Sequence, residues 1–519
     1  MALVLIGFMG AGKSSAAREL ADALGAGAPL DSDTLLGEQL GCSVAEAFAT
    51  IGEAEFRARE EQLVSDLLDR AEPDQVIALG GGSITSQRVR ERLTGHTTVL
   101  LEVSPETAWE RVRAADGAER RPLASDREAF AALHAARLGT YEQLADAILP
   151  ELPPRGASEA LHALRALQRA PAGTRMLWAR SAGGEYPVYV GPGLLAADGG
   201  EAAAAVWPLD HARSRPFLVS DEIVAARYGD RLGAVALTIT IEPGESHKTL
   251  ASAERVWQEL AAAGMTRADH LVALGGGVVG DLVGFCAATY QRGVPVVQVP
   301  TTLVAQVDSA YGGKTGVDLP QAKNYVGAYH QPAAVIVDPD TLASLPEREL
   351  SAGWVEVLKT ALIAGGGLWQ SLARDEPVAE PTILACARTK LAVVAADERD
   401  AGARQVLNLG HTIGHAIETA SGYSRYRHGE AVGLGLLAVL RLSGLPELRA
   451  QVRELLLAHG LPVAIEGLEP QEVLAASARD KKRLAGRVPF VLLKAPGEPV
   501  IGCELDPEDV LGAIVELAA

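Results

Sequence analysis

The chain has 519 residues, beyond the length at which a single hydrophobic core stops growing, so two or three domains are expected. Apolar residues make up 48% and charged residues 22% of the sequence, a composition that excludes a disordered scaffold. The formal net charge of -19 opposes binding to nucleic acid or anionic membranes, so an anionic substrate requires local clusters of Lys and Arg.

Targeting signals and cysteines narrow the class of protein further. The longest apolar stretch of the C-terminal half, residues 431–440, is too short to span a bilayer, and the N-terminus lacks the basic region of a signal peptide. We therefore expect a cytoplasmic protein that binds neither membrane nor nucleic acid. The four cysteines lie far apart without a C-x-x-C pair, so a metal site is expected to use His and carboxylate side chains.

Three domains and a linker are predicted along the chain. Residues 1–167 alternate strand-like apolar runs with helical patterns, which is typical of βαβ units on a parallel sheet. Residues 168–175 have the composition of a linker. Strands and helices alternate again over 176–345, and helical periodicity dominates 346–519. The prediction is an α/β multidomain protein, with two nucleotide-binding α/β domains followed by a mostly helical one.

A phosphate-binding loop follows the first predicted strand. Residues 7–14, GFMGAGKS, fit the pattern G-x-x-x-x-G-K-[ST] and lie between the apolar run 3–6 and a helical pattern. In such a loop backbone N–H groups surround phosphate oxygens and the Ser or Thr hydroxyl holds Mg²⁺. The alternative, a glycine-rich turn beside a solvated lysine, is disfavoured by the flanking elements. The sequence predicts ATP or GTP binding with Mg²⁺ through Gly10, Ala11, Gly12, Lys13, Ser14 and Ser15.

Candidate residues for binding the phosphoryl acceptor are spread over the rest of this region. Asp31 and Asp33 follow a short apolar run, although an isolated D-x-D pattern is more often a helix cap or a solvated loop. The further signals are Glu55-Phe56-Arg57, Leu79-Gly80-Gly81-Gly82, Arg120-Arg121-Pro122-Leu123 and Arg137. Together with the phosphate loop, their order and spacing resemble shikimate kinase over nearly all of residues 1–167.

This resemblance implies a P-loop kinase domain with a parallel sheet that transfers a phosphoryl group from ATP to shikimate. Asp33 would bind the ring hydroxyls and help to take the proton from the attacking one. Arg57 and Arg137 would clamp the carboxylate, because a guanidinium donates two parallel hydrogen bonds. Gly81 would lie against the ring. Arg121 would act from the lid on the transferring phosphoryl group, with a surface arginine before a proline turn as the alternative.

A second glycine-rich strand end begins another group of candidate site residues. The strand-like LVAL at 271–274 runs into GGGVVGD at 275–281, as a pyrophosphate site requires, although tight packing alone could explain three glycines. The segments that follow are more specific: GFCAATYQRG at 284–293, PTTL at 300–303, QVDS at 306–309, GGKTG at 312–316 and KN at 323–324. From about residue 176 to the C-terminus the chain resembles 3-dehydroquinate synthase.

Candidate metal ligands follow from helical spacing. Glu356 and Lys359 share one helical face. His411 and His415 share another, and His428 supplies a third imidazole. One Glu with two His leaves an open position on Zn²⁺, as in catalytic sites, whereas any single one of these histidines is more simply a satisfied core or surface residue. The resemblance selects Glu356, His411 and His428 as ligands of Zn²⁺ or Co²⁺ and leaves His415 for proton transfer or phosphate contact.

The resemblance also implies residue sets for cofactor and substrate. Contacts to NAD⁺ would come from Asp221, Gly244, Glu245, Lys248, Gly277, Val278, Asp281, Thr301, Thr302, Lys314, Lys323 and Thr341. Contacts to the substrate would come from Arg292, Asp308, Lys314, Asn324, Lys359, Lys390, Arg404, Asn408, His415 and Lys481, with Lys482 as the alternative to Lys481. Lys359, Arg404 and His415 would act in catalysis, and Arg292 would reach a neighbouring subunit of a homodimer. One departure is Ala310-Tyr311, where the family more often carries small residues.

The two resemblances together imply a bifunctional enzyme of aromatic amino acid biosynthesis. The first half would make shikimate 3-phosphate. The second would convert 3-deoxy-D-arabino-heptulosonate 7-phosphate into 3-dehydroquinate with loss of phosphate, in a redox-neutral cyclisation that returns NAD⁺. A sugar-phosphate cyclase or polyol dehydrogenase of the same fold is one alternative for the second half, but Arg404 and Asn408 favour a substrate with a carboxylate. The other alternative is a nucleotide-sensing or scaffold protein, which would carry damaged site residues.

Overall fold

The computed structural model describes residues 1–114, 126–151, 156–197, 201–320, 322–423, 425–477 and 489–518. The chain divides into two compact units, one of residues 1–179 with 187–189 and one of residues 180–186 with 190–519. The predicted domain limits at 167, 175 and 345 stay predictions. The predicted site residues Arg121 and Lys481, with its alternative Lys482, lie outside the described residues.

The first unit is built on parallel strands. Their bounds are β1 (Leu3–Ile6), β2 (Leu30–Asp31), β3 (Val76–Ala78), β4 (Thr97–Leu101) and β5 (Ala147–Leu149), while β6 (Arg175–Ser181) and β7 (Gly184–Val190) each have residues in both units. The strand order is β2-β3-β1-β4-β5, with β6 pairing in parallel with β5. β1 is apolar and buried along its whole length, as a central strand covered on both faces requires.

The helices of the first unit connect these strands. Their bounds are α1 (Lys13–Leu24), α2 (Ser32–Leu40), α3 (Val44–Asp69), α4 (Gln87–Leu93), α5 (Pro105–Ala114), α6 (Arg127–Leu144) and α7 (Leu161–Leu167). Because β1, β2 and β3 run in parallel, the segments that follow them, which carry the phosphate loop, the D-x-D pattern and the glycines at 80–82, meet at one edge of the sheet. The predicted βαβ organisation of this region is confirmed.

The first part of the second unit is also built on parallel strands. Its strand order is β14-β11-β10-β8-β9, and two antiparallel hairpins, β12–β13 and β15–β16, lie outside that sheet; the strand bounds are β8 (Pro216–Asp221), β9 (Leu237–Ile241), β10 (His270–Gly275), β11 (Val296–Pro300), β12 (Lys314–Leu319), β13 (Ala322–Tyr329), β14 (Ala334–Val337), β15 (Phe490–Leu493) and β16 (Pro499–Cys503). Apolar side chains of the sheet and of the helices over it form one core cluster.

Helices dominate the rest of the second unit, as predicted for the region after residue 345. The helix bounds are α8 (Glu201–Ala205), α9 (Glu222–Tyr228), α10 (Leu250–Ala262), α11 (Gly277–Thr289), α12 (Glu347–Ala364), α13 (Gly366–Ala373), α14 (Glu380–Ala396), α15 (His411–Ala420), α16 (His428–Leu442), α17 (Pro446–Ala458), α18 (Pro470–Ser477) and α19 (Pro507–Leu517). Among the described residues, no helix combines the length and the apolar character that crossing a membrane requires.

Glycines allow three of these helices to pack closely. A Cβ on Gly435 of α16 would lie 2.0 Å from the carbonyl oxygen of Gly410, at the start of α15. A Cβ on Gly429, also on α16, would lie 1.9 Å from the carbonyl oxygen of Ala352 on α12. These positions exclude any larger residue without movement of the backbone. The close packing brings polar residues of α12, α15 and α16 to one place.

Candidate active sites

The phosphate loop joins β1 to α1. Gly12 has a φ of 87°, a left-handed conformation that glycine adopts without strain, and α1 begins at the next residue. The Lys13 side chain is buried, and its Nζ donates hydrogen bonds to the carbonyl oxygens of Gly7 at 2.9 Å and Phe8 at 3.0 Å. The ammonium group therefore lies against the loop that is predicted to bind phosphate.

The two carboxylates of the D-x-D pattern have different environments. Asp31 Oδ2 accepts a hydrogen bond of 2.6 Å from Ser14 Oγ, and Oδ1 accepts from the backbone N–H groups of Asp33 and Thr34. The capping alternative therefore applies to Asp31, which also touches the predicted Mg²⁺ ligand Ser14. Asp33 lies in the first turn of α2 and lines the pocket that is described next. The sequence analysis gave Asp31 no individual role.

A pocket of the first unit contains the predicted shikimate contacts. It is lined by Met9, Asp33, Val44, Phe48, Phe56, Arg57, Glu60, Gly81, Gly82 and Arg137. Asp33, Arg57, Gly81 and Arg137 are thus brought together from four separate segments, next to Met9 of the phosphate loop. Two guanidinium groups, two carboxylates and two aromatic rings give the pocket the means to bind a small anion with an apolar body.

Glu60 is a pocket residue that the sequence analysis missed. It is 4% exposed, and its Oε2 lies 2.5 Å from Arg57 Nη1, while Oε1 accepts a hydrogen bond from Ser83. The Arg57 guanidinium also lies over the rings of Phe48 and Phe56, 5.3 and 5.6 Å from their centroids. The guanidinium is therefore held in one orientation. The spacing of three residues on α3 was a signal that could have identified Glu60.

Arg137 and Tyr141 hold the backbone at Gly81. Arg137 Nη1 donates to the Gly81 carbonyl oxygen at 3.1 Å, and the Tyr141 hydroxyl donates to the same oxygen at 2.5 Å. Burial raises the pKa of Tyr141 to about 12, so the hydroxyl stays protonated and remains a donor. α6 thereby positions the glycine that is predicted to lie against the ring.

In the second unit, the glycine run joins β10 to α11. β10 ends at Gly275 and α11 begins at Gly277, so backbone N–H groups of the first turn are available to an anion. A Cβ on Gly276 would lie 2.8 Å from Thr302 Cγ2, which places the two segments in contact. The Thr301 hydroxyl is buried and has no hydrogen-bond partner in the part of the chain that the structure describes. This buried polar atom fits a site for a polar ligand.

A buried lysine connects several of the predicted NAD⁺ contacts. Lys248 Nζ lies 2.7 Å from Glu245 Oε1, 3.3 Å from Asp281 Oδ2 and 3.8 Å from Asp318 Oδ1. Burial raises the pKa of Asp281 to about 6, and the ammonium group of Lys248 opposes that rise. For Lys248 burial acts to lower the pKa, but the neighbouring carboxylates outweigh burial and raise it, so the lysine is charged. Asp318 was not predicted to belong to this group.

Four of the other predicted NAD⁺ contacts already have hydrogen-bond partners within the protein, and two more are placed by the backbone near the glycine run or the turn before it. Asp221, at the end of β8, caps α9. The Thr341 hydroxyl is buried and donates to the Asp338 carbonyl oxygen at 2.7 Å. Lys314 donates to an acidic side chain at 2.6 Å, and Lys323 donates to another at 3.0 Å. Gly244 begins the turn before Glu245–His247, and Val278 lies in the first turn of α11.

Glu356, His411, His415 and His428 form one cluster. Glu356 Oε1 lies 3.6 Å from His411 Nε2 and 3.4 Å from His428 Nε2. The three histidines each offer a ring nitrogen within 4.8 Å of the others. The structure therefore brings the predicted ligands together from α12, α15 and α16, with His415 beside them.

The donor set of this cluster fits a divalent cation. His411 Nδ1 contacts a backbone carbonyl oxygen at 3.2 Å, and His428 Nδ1 contacts a Glu418 oxygen at 3.2 Å, so each Nε2 is directed at Glu356. Such outer partners are typical of metal-binding histidines. Burial would raise the pKa of Glu356, but Lys359 and the imidazole groups hold it well below its ordinary value. An ionised carboxylate and two imidazole nitrogens suit Zn²⁺ or Co²⁺.

Two lysines and Asp308 lie next to this cluster. Asp308 belongs to a π-helical turn, Ala305–Ser309, and its oxygens lie 2.5 Å from Lys390 Nζ and 3.6 Å from Lys359 Nζ. Lys359 Nζ is also 2.5 Å from Glu356 Oε2. Burial would raise the pKa of Asp308, but the two ammonium groups lower it to about 2. The predicted substrate contacts thus form a buried ion network that adjoins the candidate metal ligands.

Arg404 is a buried cation in the same unit. Nη1 donates to the Glu398 carbonyl oxygen at 2.6 Å and Nη2 donates to the Gly312 carbonyl oxygen at 3.2 Å. Its Nε has no hydrogen-bond partner among the described residues. Asn408 ends the short helix Ala403–Asn408 that begins beside Arg404. One buried donor of the guanidinium is therefore available to an anion.

Two predicted substrate contacts lie in strained turns. Arg292 is exposed, has a φ of 70° and follows the C-terminal end of α11, about 18 Å along the helix from the glycine run. Asn324 has a φ of 51°, and its N–H donates to Asp318 Oδ1 at 2.7 Å. Tyr311, the departure from the family pattern, is buried with its hydroxyl donating to the Gln306 carbonyl oxygen at 2.6 Å, so the fold accommodates it.

Comparison with known proteins agrees with this geometry. Two family models match the second unit, 3-dehydroquinate synthase N-terminal over residues 238–352 and 3-dehydroquinate synthase C-terminal over 353–483. The 3-dehydroquinate synthase of Halorhodospira halophila is 42% identical over 358 residues, which are 66% of this chain and 99% of that protein. The chain belongs to the 3-dehydroquinate synthase family. The synthase of Symbiobacterium thermophilum is 44% identical over 347 residues, 63% of this chain and 96% of that protein.

The first unit belongs to a different enzyme family. The shikimate kinase family model matches residues 9–164, so the chain fuses a shikimate kinase domain to the two 3-dehydroquinate synthase domains, as the sequence predicts. Both are enzyme families of aromatic biosynthesis. Among solved structures, 2-epi-5-epi-valiolone synthase of Streptomyces hygroscopicus, with NAD⁺ and Zn²⁺ bound, has a TM-score of 0.57 and 28% identity, over 64% of this chain and 96% of that one.

Proposed function

We propose that this chain catalyses two reactions, phosphorylation of shikimate by ATP to shikimate 3-phosphate and cyclisation of 3-deoxy-D-arabino-heptulosonate 7-phosphate to 3-dehydroquinate with release of phosphate. The observation that carries the proposal is that each unit gathers, from distant segments, the cations and carboxylates of one of these reactions. The domains that perform them are residues 1–167 for the kinase and 176–519 for the synthase, joined by 168–175.

In the kinase pocket, the side chains have separable roles. Arg57 and Arg137 bind the carboxylate of shikimate, and Asp33 accepts the proton of the hydroxyl that attacks. Lys13 turns from the loop carbonyls to the β- and γ-phosphates of ATP. Ser14, whose hydroxyl contacts Asp31, would hold Mg²⁺, which neutralises phosphate charge when bound.

In the synthase half, the chain binds, orients and neutralises the substrate. NAD⁺ accepts and returns a hydride, and Zn²⁺ or Co²⁺ polarises substrate hydroxyls, when these groups are bound. Glu356, His411 and His428 hold the cation. Lys359 and Lys390 neutralise the anionic groups of the substrate from the buried network around Asp308, and His415 lies close enough to move a proton or to contact phosphate.

Arg404 favours a substrate that carries a carboxylate. Its Nε is buried and has no partner among the described residues, so leaving it unoccupied costs free energy that an anion would recover. Asn408 lies at the end of the same short helix and supplies a second polar group. Sugar phosphates and polyols without a carboxylate would not satisfy this arginine. This is the basis for proposing the heptulosonate rather than another cyclase substrate.

Partner and location complete the proposal. Arg292 points outward from a left-handed turn at the end of α11, which suits a contact with a second copy of the chain in a homodimer formed through the synthase half. Because both reactions draw on nucleotide cofactors, we place the enzyme in the cytoplasm. Neither reaction requires nucleic acid or a membrane.

The deciding experiment supplies the two substrates separately to the purified full chain. Shikimate with ATP and Mg²⁺ should give shikimate 3-phosphate, and the heptulosonate phosphate with catalytic NAD⁺ should give 3-dehydroquinate and phosphate. Product in neither assay would overturn the proposal. Turnover of a polyol or of a sugar phosphate without a carboxylate, at a rate equal to that of the heptulosonate, would overturn the substrate assignment alone.

Chelation should separate the two activities. After metal removal, added Mg²⁺ should restore phosphorylation, because Ser14 and ATP hold an ion that exchanges freely. Zn²⁺, and not Mg²⁺, should restore cyclisation, because an imidazole-rich set disfavours Mg²⁺. His411→Ala should abolish cyclisation and tight metal binding while NAD⁺ binding stays measurable, since the glycine run lies on another element. Cyclisation by metal-free protein would contradict the three-ligand assignment.

A further inference from the structure

Glu418 connects the candidate metal cluster to a hairpin of the nucleotide-binding part of the synthase. The residue lies near the end of α15 and is 2% exposed. One carboxylate oxygen, Oε2, lies 3.2 Å from His428 Nδ1, and the other, Oε1, accepts a hydrogen bond of 3.0 Å from Lys323 Nζ on β13. Each oxygen therefore has one cationic or donor partner, and the two contacts fix the orientation of the carboxylate.

The contact with His428 determines which ring nitrogen carries a proton. A carboxylate oxygen accepts hydrogen bonds only, so Nδ1 must be the protonated nitrogen facing Glu418. Nε2 faces the Glu356 carboxylate in the same way, so without a metal ion both nitrogens are protonated and the ring is charged. When a metal ion displaces the Nε2 proton, Nδ1 keeps its proton toward Glu418 and Nε2 supplies its lone pair to the ion. The orientation and tautomer of His428 that a metal ion requires thus follow from Glu418.

We propose that Glu418 is a positioning residue that selects the metal-binding tautomer of His428 and is itself held in place by Lys323. The inference rests on the proposed metal site of the synthase and adds a residue that neither the sequence motifs nor the ligand set includes. It also links the β12–β13 hairpin, whose Asp318 contacts Lys248, to the metal cluster through the Lys323–Glu418 ion pair.

A glutamine at this position provides a sharp test, because an amide has one acceptor and one donor. With Lys323 present, the amide oxygen of Glu418→Gln must face the ammonium group, since the NH₂ group cannot accept from it. The NH₂ group then faces His428 Nδ1 and requires that nitrogen to be an acceptor, which moves the proton to Nε2. Without Lys323, the amide oxygen is free to turn to Nδ1 and restore the required tautomer.

The experiment measures the Zn²⁺ dissociation constant of the metal-free full chain by competition with a chromophoric chelator. Glu418→Gln should raise the constant about 10- to 100-fold, the usual effect of losing an outer partner of a metal ligand. The double variant Lys323→Met with Glu418→Gln should return to within about threefold of Lys323→Met alone, given the usual scatter of such effects. The visible absorption of bound Co²⁺ should change in Glu418→Gln and return to the native form in the double variant.

Two further variants keep the test decisive. Glu430→Gln is the matched control, because Glu430 is also a buried acid in the helical region. Its carboxylate oxygens face Arg348 and the Arg427 N–H rather than a histidine. The Zn²⁺ dissociation constant of this variant should stay native. Glu418→Asp keeps the charge but withdraws it from His428, so it should also weaken Zn²⁺ binding, and it replaces Glu418→Gln should that variant fail to fold.

The outcomes separate this inference from the proposed metal site. Unchanged Zn²⁺ binding in Glu418→Gln and Glu418→Asp, or a double variant as weak as Glu418→Gln, overturns the role of Glu418. In that case His411→Ala should still lose Zn²⁺, which leaves the metal site intact. Unchanged Zn²⁺ binding in His411→Ala overturns the metal site itself and this inference with it.

Discussion

Arg57 lies between an acid and two aromatic rings, and this environment determines what a substitution would do. Its Nη1 pairs with Glu60, and its guanidinium plane lies over Phe48 and Phe56. The remaining N–H donors of the guanidinium group are therefore presented to the pocket in one orientation. A lysine at this position would supply a point charge without the fork or the flat face.

We predict that Arg57→Lys raises the KM for shikimate about 10- to 100-fold with a smaller change in kcat, because a charge-assisted hydrogen bond contributes about 1.5–3 kcal/mol. Steady-state kinetics of the kinase reaction measure this. The KM for ATP serves as the internal control and should stay native. A native KM for shikimate would remove Arg57 from the binding site.

His270 is a buried histidine that neither active site uses. Its Nε2 accepts a hydrogen bond from the Trp207 indole N–H at 3.1 Å, so the protonated nitrogen is Nδ1, which lies 2.8 Å from Ser214 Oγ. Burial, with a contribution from His211, lowers the pKa of His270 to about 4. The folded protein therefore binds this proton less readily than the unfolded chain does.

We predict that the synthase half loses stability as pH falls from about 6.5 to about 4, because in that window the unfolded chain takes up the His270 proton and the folded protein does not. The contribution is about 3 kcal/mol, from the difference between a pKa of about 4 and one of about 6.5. The measurement compares urea unfolding of the native chain and His270→Gln at several pH values. Equal slopes against pH in the two proteins would contradict the prediction.

The close packing of α15 and α16 depends on single residues. His411 begins α15 and His428 begins α16, so the distance between these helices sets the distance between two predicted metal ligands. Gly435 makes the closest approach, to the backbone of Gly410, and a backbone oxygen cannot move aside as a flexible side chain can. The neighbouring Gly433 instead faces the end of the Leu456 side chain.

We predict that Gly435→Ala lowers the free energy of unfolding of the synthase half by about 1–3 kcal/mol, the usual cost of overpacking, and weakens Zn²⁺ binding. Gly433→Ala is the matched control. Its Cβ would lie 3.1 Å from Leu456 Cδ2, a contact that a small rotation relieves, and alanine favours a helix over glycine by about 1 kcal/mol. Thermal unfolding and Zn²⁺ titration test both, and similar behaviour of the two variants would refute the role of the backbone contact.

At the scale of the whole molecule, the kinase and synthase sites draw on separate residues. Every described residue placed in the kinase pocket comes from the first unit, and every residue of the metal cluster comes from the second. The two reactions are also non-adjacent in the proposed chemistry, so no intermediate passes directly from one site to the other. The fusion produces the two domains in equal numbers.

We predict that Lys13→Ala abolishes phosphorylation of shikimate and leaves the rate of cyclisation native, because the lysine acts on ATP phosphates alone. His411→Ala should give the reverse pattern. Both rates are measured on the same preparation, and circular dichroism confirms that each variant is folded. Loss of both activities in a folded Lys13→Ala protein would show that the two halves are coupled.

The sequence by itself determined the features that depend on local spacing. The sequence correctly predicted the phosphate loop, the strand before it, the helix after it and the helices that follow Glu347. Each of these features depends on a pattern of residues that are consecutive in the chain. The fold class and the fusion of two enzyme families were predicted through motifs of the same kind. The roles assigned to individual site residues stay predictions.

Only the tertiary structure decided which residues that are distant in the chain contact each other at the sites. Ser14 contacts Asp31 rather than Asp33. Glu60 orients Arg57 through an ion pair that the sequence analysis did not identify. Glu418 contacts both His428 and Lys323, which lies 95 residues away in the chain. These partners are acidic residues without a motif of their own. Their effect comes from burial and from distances of a few ångströms, which depend on how helices and strands pack and not on their order in the sequence.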